Sequence, residues 1–409
     1  MKFQEESFLP VLLGGDISNY SLARSFYEAY QIKSLIVGHH PIYPTIYTKI
    51  VTSFYDEDIE NKEVFLNLMK KIDKIYPDKR KILLGNNDNY VRLIIETKNK
   101  LSKNFIVPFI DKLLFNKLIV KEDFYQMCEK YNLDYPKTFI FTCSKKANVS
   151  IKLPFSFPVF LKPSDTVIYS KYNFLGKKKG YFIENQEELE KTLKLFCKEN
   201  YPDKLIIQEY IPGDDSKMRI VTCYVDQNSF VKGLSMGHIL LEDHTPMLVG
   251  NYTAIMSDYN QELSQKVIQF LEEIKYLGIC HFDIKYDKRD KKYKFLEMNI
   301  RQGRNNYYTT AAGLNLGECL VNDYIKMKKL KLIIAKKPCI CSIIPKYVLY
   351  KYVNPELKSQ LKKIIKEKGW VRPLLMKGDY NFLRLKQHIK ADFKSISNYK
   401  KYYRKDDQY

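Results

Sequence analysis

KYLGICHFDIKYDKRDKKYKFLEMNIRQGRNNYYTTAA, residues 275–312, is the stretch around which the chain is organised. It reads as one strand ending at Phe282 and Asp283, a charged turn around residues 287–290, and a second strand over 293–298. Strand side chains repeat with period 2, so Glu297 and Asn299 face the same way. Paired as a hairpin, the strands set Asp283 across from them, giving three oxygen donors of the kind Mg2+ takes. Arg301 and Arg304 follow at once and can hold the phosphates that such metals bridge. A polar hairpin with a solvated acidic edge would show the same spacing. The other parts of a nucleotide site must therefore come from the rest of the chain.

The 409 residues leave room for two or three domains with substantial cores. With 45% hydrophobic and 28% charged residues, the composition is that of a soluble globular protein. No apolar run approaches the roughly 18 residues a membrane span needs. The start, MKFQEESFLPVLLGG, carries only Lys2 ahead of two acids and does not read as a signal peptide. Eight Cys are scattered without a CxxC, which predicts a reducing, cytoplasmic setting. The formal charge is +21, and residues 336–409 hold +13 of it, from 19 Lys/Arg against 6 Asp/Glu. Such a balance favours anionic partners: a nucleotide, a nucleic acid, an acidic lipid surface or an anionic precursor. Nucleic acid is not the expected partner, because no RRM, zinc or helix-turn-helix signature is present.

In chain order, residues 10–13 are a short apolar strand ending in Gly14-Gly15-Asp16, and a helix fits residues 18–30. Strands follow at 34–37, 82–84 and 105–108, alternating with helices at 61–75 and 90–98. That alternation predicts a parallel α/β domain over residues 1–110. GGD lacks the GxGxxG pattern, so no dinucleotide is expected there. The pair His39-His40 has no carboxylate at ligand spacing and reads as loop histidines.

A second unit begins near Asp111, with an amphipathic helix at 121–131. A strand at 157–161 ends in Lys162-Pro163, where the Lys is a plausible phosphate ligand. YSKYNFLGKKKG, residues 169–180, puts two Gly and four Lys in a loop able to close over phosphates. Residues 205–208 form a strand leading into Glu209-Tyr210-Ile211-Pro212-Gly213, which offers backbone groups and a carboxylate to an adenine edge and ribose hydroxyls. An antiparallel pair at 219–224 and 230–236, with His238 and His244 near it, and a helix at 261–277 lead to the acidic hairpin. Beyond the helix at 316–327, strands are expected at 332–335, 340–345 and 348–349. A basic helix at 357–368 and a long one at 381–405 follow, the latter with Leu383, Ile389, Phe393 and Ile396 as an inner, docking stripe.

Lys121, Lys162, the 169–180 loop, QEYIPG at 208–213, Asp283 and FLEMNIR at 295–301 stand in one order. That order resembles the ATP-grasp superfamily of carboxylate–amine ligases over about residues 105–330. The unit ahead resembles the pre-ATP-grasp domain such enzymes carry. GGDISNYSLARSFYEAYQIKS, GNYTAI and MNIRQGRNNYYTTAAG make the whole chain similar to Firmicute D-aspartate ligases, which add D-aspartate to the lysine side chain of a peptidoglycan precursor. The resemblance implies a Rossmann-like pre-ATP-grasp domain over 1–110, a two-lobed ATP-grasp domain over 111–335 with ATP between the lobes, and a basic region over 336–409 docking on the core.

It further implies that Lys121 and Lys162 bind ATP phosphates. Gly176, Lys178 and Gly180 belong to the closing loop, and Gln208, Glu209 and Ile211 line the adenine and ribose. Asp283, Glu297 and Asn299 hold two Mg2+, or Mn2+ in their place, and Arg301 and Arg304 support the acyl phosphate. Many members carry an Arg where this chain has His281. A neutral imidazole cannot replace a permanent cation. Arg219 or Arg304 would then take the role, or His281 is protonated by the phosphates or donates a single hydrogen bond. The general base is open among His238, His244 and Asp283. The basic tail is expected to recruit the anionic precursor, lipid- or nucleotide-linked, through paired Lys such as Lys362-Lys363 and Lys400-Lys401, with peripheral contact to a membrane-linked form. A ligase for another amino acid or small amine, or a catalytically dead adaptor on the same fold, would share these motifs. The oligomeric state is not written in the sequence.

Overall fold

The computed structural model describes residues 7–144, 148–165, 168–169, 171–246 and 248–403. Residues 1–6, part of the stretch read for the chain start, lie outside them, as do Ser170 of the Lys/Gly loop and Lys405, the expected end of the last helix.

Apolar runs short enough for strands, separated by capped helices, make the first unit. Its five strands are all parallel, in the order Val51–Tyr55, Ser34–Gly38, Phe8–Leu13, Arg80–Gly85, Phe105–Ile106. Asp16 ends the loop after the first strand and caps helix Ile17–Tyr30 by accepting from the N–H groups of Ser18 and Asn19. Asn61 and Asn87 do the same for helices Lys62–Ile75 and Asp88–Thr97. Gly14 is obligatory: its φ is +98°, and a Cβ there would lie 2.1 Å from Asn86 Oδ1. That close approach ties the ends of the first and fourth strands together, where the strand order reverses.

An antiparallel sheet and a mostly antiparallel one follow. The smaller has the order Thr138–Thr142, Lys204–Glu209, Val159–Pro163, Tyr181–Ile183, and packs on helix Gln186–Lys198 around its own apolar core. The larger runs Lys292–Asn299, Gly278–Asp287, Met218–Val225, Val231–Glu242, Tyr252–Asp258, Ile340–Ser342, Trp370–Val371, and Ile333–Ala335 joins Val231–Glu242 in parallel. The strands of residues 333–371 thus extend the sheet that carries the acidic hairpin. A single apolar cluster runs from the parallel sheet into this one.

Several elements differ from expectation. Val51–Tyr55, Thr138–Thr142 and Tyr181–Ile183 are short strands at or near sheet edges, where one exposed face breaks the apolar run. The strand ending at Asp283 continues to Asp287, and Lys162 lies inside its strand, not after it. Val348 and Leu349 belong to helix Lys346–Tyr352, which starts behind Pro345.

The last helix, Phe382–Tyr402, is turned over. Leu383, Ile389 and Phe393, expected inward, face solvent, while Arg384, His388 and Tyr399 are buried, and of the expected stripe only Ile396 packs on the core. Burial of the Arg384 guanidinium against Asp379 (Nε–Oδ2 3.3 Å) fixes that orientation. Asp379 also accepts from Tyr20 OH (2.8 Å), Thr48 Oγ1 (2.6 Å) and the Lys49 N–H (2.8 Å) of the first unit.

Candidate active site

Antiparallel pairing sets Asp283 opposite Glu297 and His281 opposite Asn299. The register shifts just beyond Asp283, so Leu296 is the extra residue of a bulge that bends the strand into the site. Tyr125 OH donates to the freed Leu296 carbonyl at 2.6 Å. Asn299 Nδ2 donates to both acids, at 3.1 Å to Asp283 Oδ2 and 3.3 Å to Glu297 Oε1. Its Oδ1 accepts from Arg301 Nη2 at 3.1 Å. Tyr252 OH donates to Asp283 Oδ1 at 2.7 Å.

The two acids are driven apart. Burial, then the neighbouring Glu297, pushes the Asp283 carboxyl well up. Burial acts the same way on Glu297, but Lys121, Lys162 and Lys179 outweigh it and hold that carboxyl far below the usual range. Glu297 is still 40% exposed, open to the cleft. An N–H donor wedged between two carboxylates stands where a cation would satisfy both. Two carboxylates and an amide oxygen form the all-oxygen set that suits Mg2+. Among the described residues no group of three or more His, Cys, Asp or Glu gathers to hold a metal.

Cations face these acids. Lys121 opens helix Lys121–Lys130 and is nearly buried, its Nζ 4.0 Å from Glu297 Oε2. Lys162 Nζ reaches Tyr125 OH at 3.3 Å. Burial, and then the like charge of Lys121, draws the Lys162 ammonium down to about 7. In the Lys/Gly loop, Gly176 has φ +84°, and a Cβ on Gly180 would lie 2.4 Å from the Phe160 ring. Lys178 is exposed, with its Nζ 6.0 Å from the centre of the Tyr181 ring. Lys179, within the 176–180 span expected to close over phosphates, bonds the Val249 carbonyl at 2.6 Å and acts on Glu297.

Gln208 is buried, donating to Thr138 Oγ1 at 2.9 Å. The Glu209 carboxylate is already held by the Lys137 N–H (3.0 Å), Lys294 (3.1 Å) and Arg289 (3.3 Å). The turn also offers backbone groups, and Ile211 is buried behind it. His281 is buried too, its Nδ1 2.8 Å from the Arg301 carbonyl, and burial with nearby Arg301 lowers it to about 4. The imidazole is neutral, a donor that fixes the Arg301 backbone. Arg219 cannot stand in for the missing cation. It alternates with Ile220, the partner of Asp283, so it faces the other side of the sheet, bound to Asp258 at 2.6 Å. His238, opposite Arg219, shares that remote face and drops from the candidate bases. Arg304 is half-buried and no described residue pairs with its guanidinium.

The first unit supplies a residue the sequence reading missed. Asp88, at the first turn of its helix, accepts from Arg301 Nε at 2.9 Å. Next to it, Gln302 Nε2 donates to Asn19 Oδ1 at 3.1 Å. Both contacts lie where the parallel sheet reverses its order, the usual ligand crevice of an open α/β sheet. That rule, applied to Asn87-Asp88 after a predicted strand, is the signal that could have found it. Asp88→Asn should cost about 10–100-fold in turnover, because it loosens Arg301, which in turn holds Asn299. Nucleotide affinity, read by titration calorimetry, should stay within twofold. An equal loss in both would make Asp88 merely structural.

A parallel α/β unit, a small antiparallel lobe and a large sheet bearing acids opposite paired lysines make an ATP-grasp fold. The model of the carbamoyl-phosphate synthase L chain ATP-binding domain matches residues 121–322. A D-aspartate ligase of Enterococcus faecium (strain Aus0004) is 42% identical over 327 residues, covering 79% of this chain and 78% of that protein. The ADP complex of N5-carboxyaminoimidazole synthetase from Staphylococcus aureus superposes with a TM-score of 0.61 at 12% identity, covering 89% of this chain and 88% of that one. The biotin carboxylase domain of a Hydrogenobacter thermophilus 2-oxoglutarate carboxylase, in complex with MgADP, ADP and bicarbonate, gives 0.59 at 12% identity, over 80% and 72%. The chain belongs to the ATP-grasp carboxylate–amine ligases. It is an ATP-dependent ligase that forms ADP and phosphate.

Proposed function

We propose that the enzyme activates D-aspartate and joins it to the lysine side-chain amine of a peptidoglycan precursor in the cytoplasm. The reaction class rests on one observation, the acid pair Asp283 and Glu297 facing Lys121 and Lys162 across a cleft. The choice of acid rests on the identity with the D-aspartate ligase. A carboxylate does not react with an amine, because oxide leaves poorly. Its oxygen instead attacks the γ-phosphorus of ATP and releases ADP. The neutral amine then adds to the acyl carbon, phosphate departs with the electrons of the C–O bond, the nitrogen gives up a proton, and the amide remains.

Lys121 and Lys162 hold the phosphates, and Arg301, fixed by Asp88 and by the His281 bond to its carbonyl, stabilises the developing oxyanion. Arg304, with no anionic partner among the described residues, would take a substrate carboxylate or acyl phosphate oxygen. Gly176, Lys178, Lys179 and Gly180 close over the nucleotide, keeping water from the activated acid. Asp283, Glu297 and Asn299 would hold two Mg2+, or Mn2+, which neutralise phosphate charge when bound. In functional terms residues 1–110 shape the substrate crevice, 111–335 bind and cleave ATP, and 336–409 serve the large anionic substrate.

Purified enzyme should release phosphate from ATP only when D-aspartate and an amine acceptor are both present. Release with D-aspartate replaced by L-aspartate or D-alanine at equal rate would overturn the assignment of the acid. Lys162→Ala should weaken nucleotide binding by about tenfold or more, since charge-assisted bonds to phosphate are the strong ones. Acceptor KM should move little. A titration giving wild-type nucleotide affinity would remove Lys162 from the site.

A further inference from the structure

Soluble-protein helices bury their apolar side and wet their charges. Helix Phe382–Tyr402 departs from this in its first three turns, burying an arginine and wetting apolar side chains. Its inner face is polar: Arg384 is 1% exposed, His388 lies beside it, and Asp392 is gripped by Arg372 at 2.7 and 3.0 Å. Its outer face carries Phe382 and Phe393, 78% and 68% exposed, with Leu385 and Ile389 near half. At 100° per residue these four form one stripe along the helix. Exposed Lys386, Lys390 and Lys394 flank the stripe along one side, and Lys400 and Lys401 follow it at the helix end. Tyr47 of the first unit, 45% exposed, extends the patch, because Asn381 at the helix start bonds the Tyr47 carbonyl at 2.6 Å.

An apolar stripe of Phe, Leu and Ile beside a margin of Lys is the make-up of a helix that lies in a bilayer interface. At 1.5 Å per residue the helix runs about 30 Å along such a surface. Among the described residues no helix is long and apolar enough to cross a membrane, so contact through this helix would be peripheral.

We propose that this inverted helix docks the enzyme on an anionic lipid surface. Charge chooses that occupant. The one acid in the helix, Asp392, is engaged by Arg372, so the outer face presents cations alone. A second copy meeting it face to face would set Lys against Lys. Anionic headgroups answer the Lys margin, with about 1 kcal/mol for each Lys held near the surface, or roughly fivefold in binding. The acyl boundary takes the stripe. The inference goes beyond the ligase reading and needs no nucleotide, so either can fail without the other.

The test is co-sedimentation of the full chain with phosphatidylglycerol/phosphatidylcholine vesicles and with phosphatidylcholine alone, at low and physiological salt. Sedimentation velocity without lipid runs beside it. Expected is binding to the anionic vesicles only, weakened by salt. Ile389→Ser/Phe393→Ser and Lys386→Glu/Lys390→Glu should each lower it by about tenfold or more. All four side chains are exposed, so melting temperature should hold. The charge-reversed pair, which alters no apolar contact, decides the matter should the serine pair misfold. No binding, equal binding to both vesicle types, or undiminished binding by the charge-reversed pair would overturn the proposal. So would a dimer that the serine pair dissociates.

Discussion

Glu297→Gln and Asn299→Ala should each cut ligation by about a thousandfold or more, the scale on which a metal ligand or a preorganised charge acts. Gln keeps the shape of Glu297 but removes the charge that answers Lys121 at 4.0 Å. It also takes one of the two oxygens competing for a cation. Asn299→Ala removes the third oxygen and the group that Arg301 holds at 3.1 Å. Neither change opens a large cavity, because Glu297 faces the cleft and Asn299 is bonded mainly to other site groups. Melting temperatures should therefore stay near wild type. Phosphate release coupled to D-aspartate and acceptor is the readout, at saturating and at limiting Mg2+. Near-normal turnover of both variants at limiting Mg2+ would sink the metal assignment.

The second large effect is on stability and lies far from the chemistry. Asp379→Ala should destabilise the fold by about 3–5 kcal/mol, because it strands the buried Arg384 guanidinium without its counter-charge. Tyr20 OH, Thr48 Oγ1 and the Lys49 N–H lose their acceptor as well. Melting as one unit, the chain should lose on the order of 5 °C. Adding Arg384→Met should recover part of that loss, since removing both charges is milder than orphaning one. Calorimetry of the three variants checks this. A wild-type melting temperature in Asp379→Ala would mean that the pair contributes nothing net.

The site was legible where chemistry forces residue types into a short spacing. Asp283, Glu297 and Asn299 sit on two adjacent strands, so period 2 and hairpin pairing were enough to bring them together. Gly14 and Asp16 marked the first strand-to-helix turn because backbone geometry demands those residues there. What stayed hidden was long-range. Asp88 meets Arg301 across 213 positions, and nothing local to either announces the other. Tyr252 and Lys179 likewise reach the acids only once the strands and loop are folded together. The last helix failed for a different reason. Periodicity locates an apolar stripe but not which side of it meets the protein, and the buried Arg384 decided that against the usual rule.

Tyr20 and Asp379 are 359 positions apart, yet the bond between them is part of the first unit's interior. At roughly 5–20 residues per second, a ribosome makes that acceptor about 20–70 s after the hydroxyl that needs it. Helix Ile17–Tyr30 must wait through that interval with the Tyr20 hydroxyl unanswered and with Arg24, held meanwhile by Glu28, short of its bonds to the carbonyls of Arg372 and Pro373. The domain translated first is therefore completed last. Its nascent form should stay open to protease until the chain leaves the tunnel, and a message truncated before residue 379 should yield a product that never gains resistance.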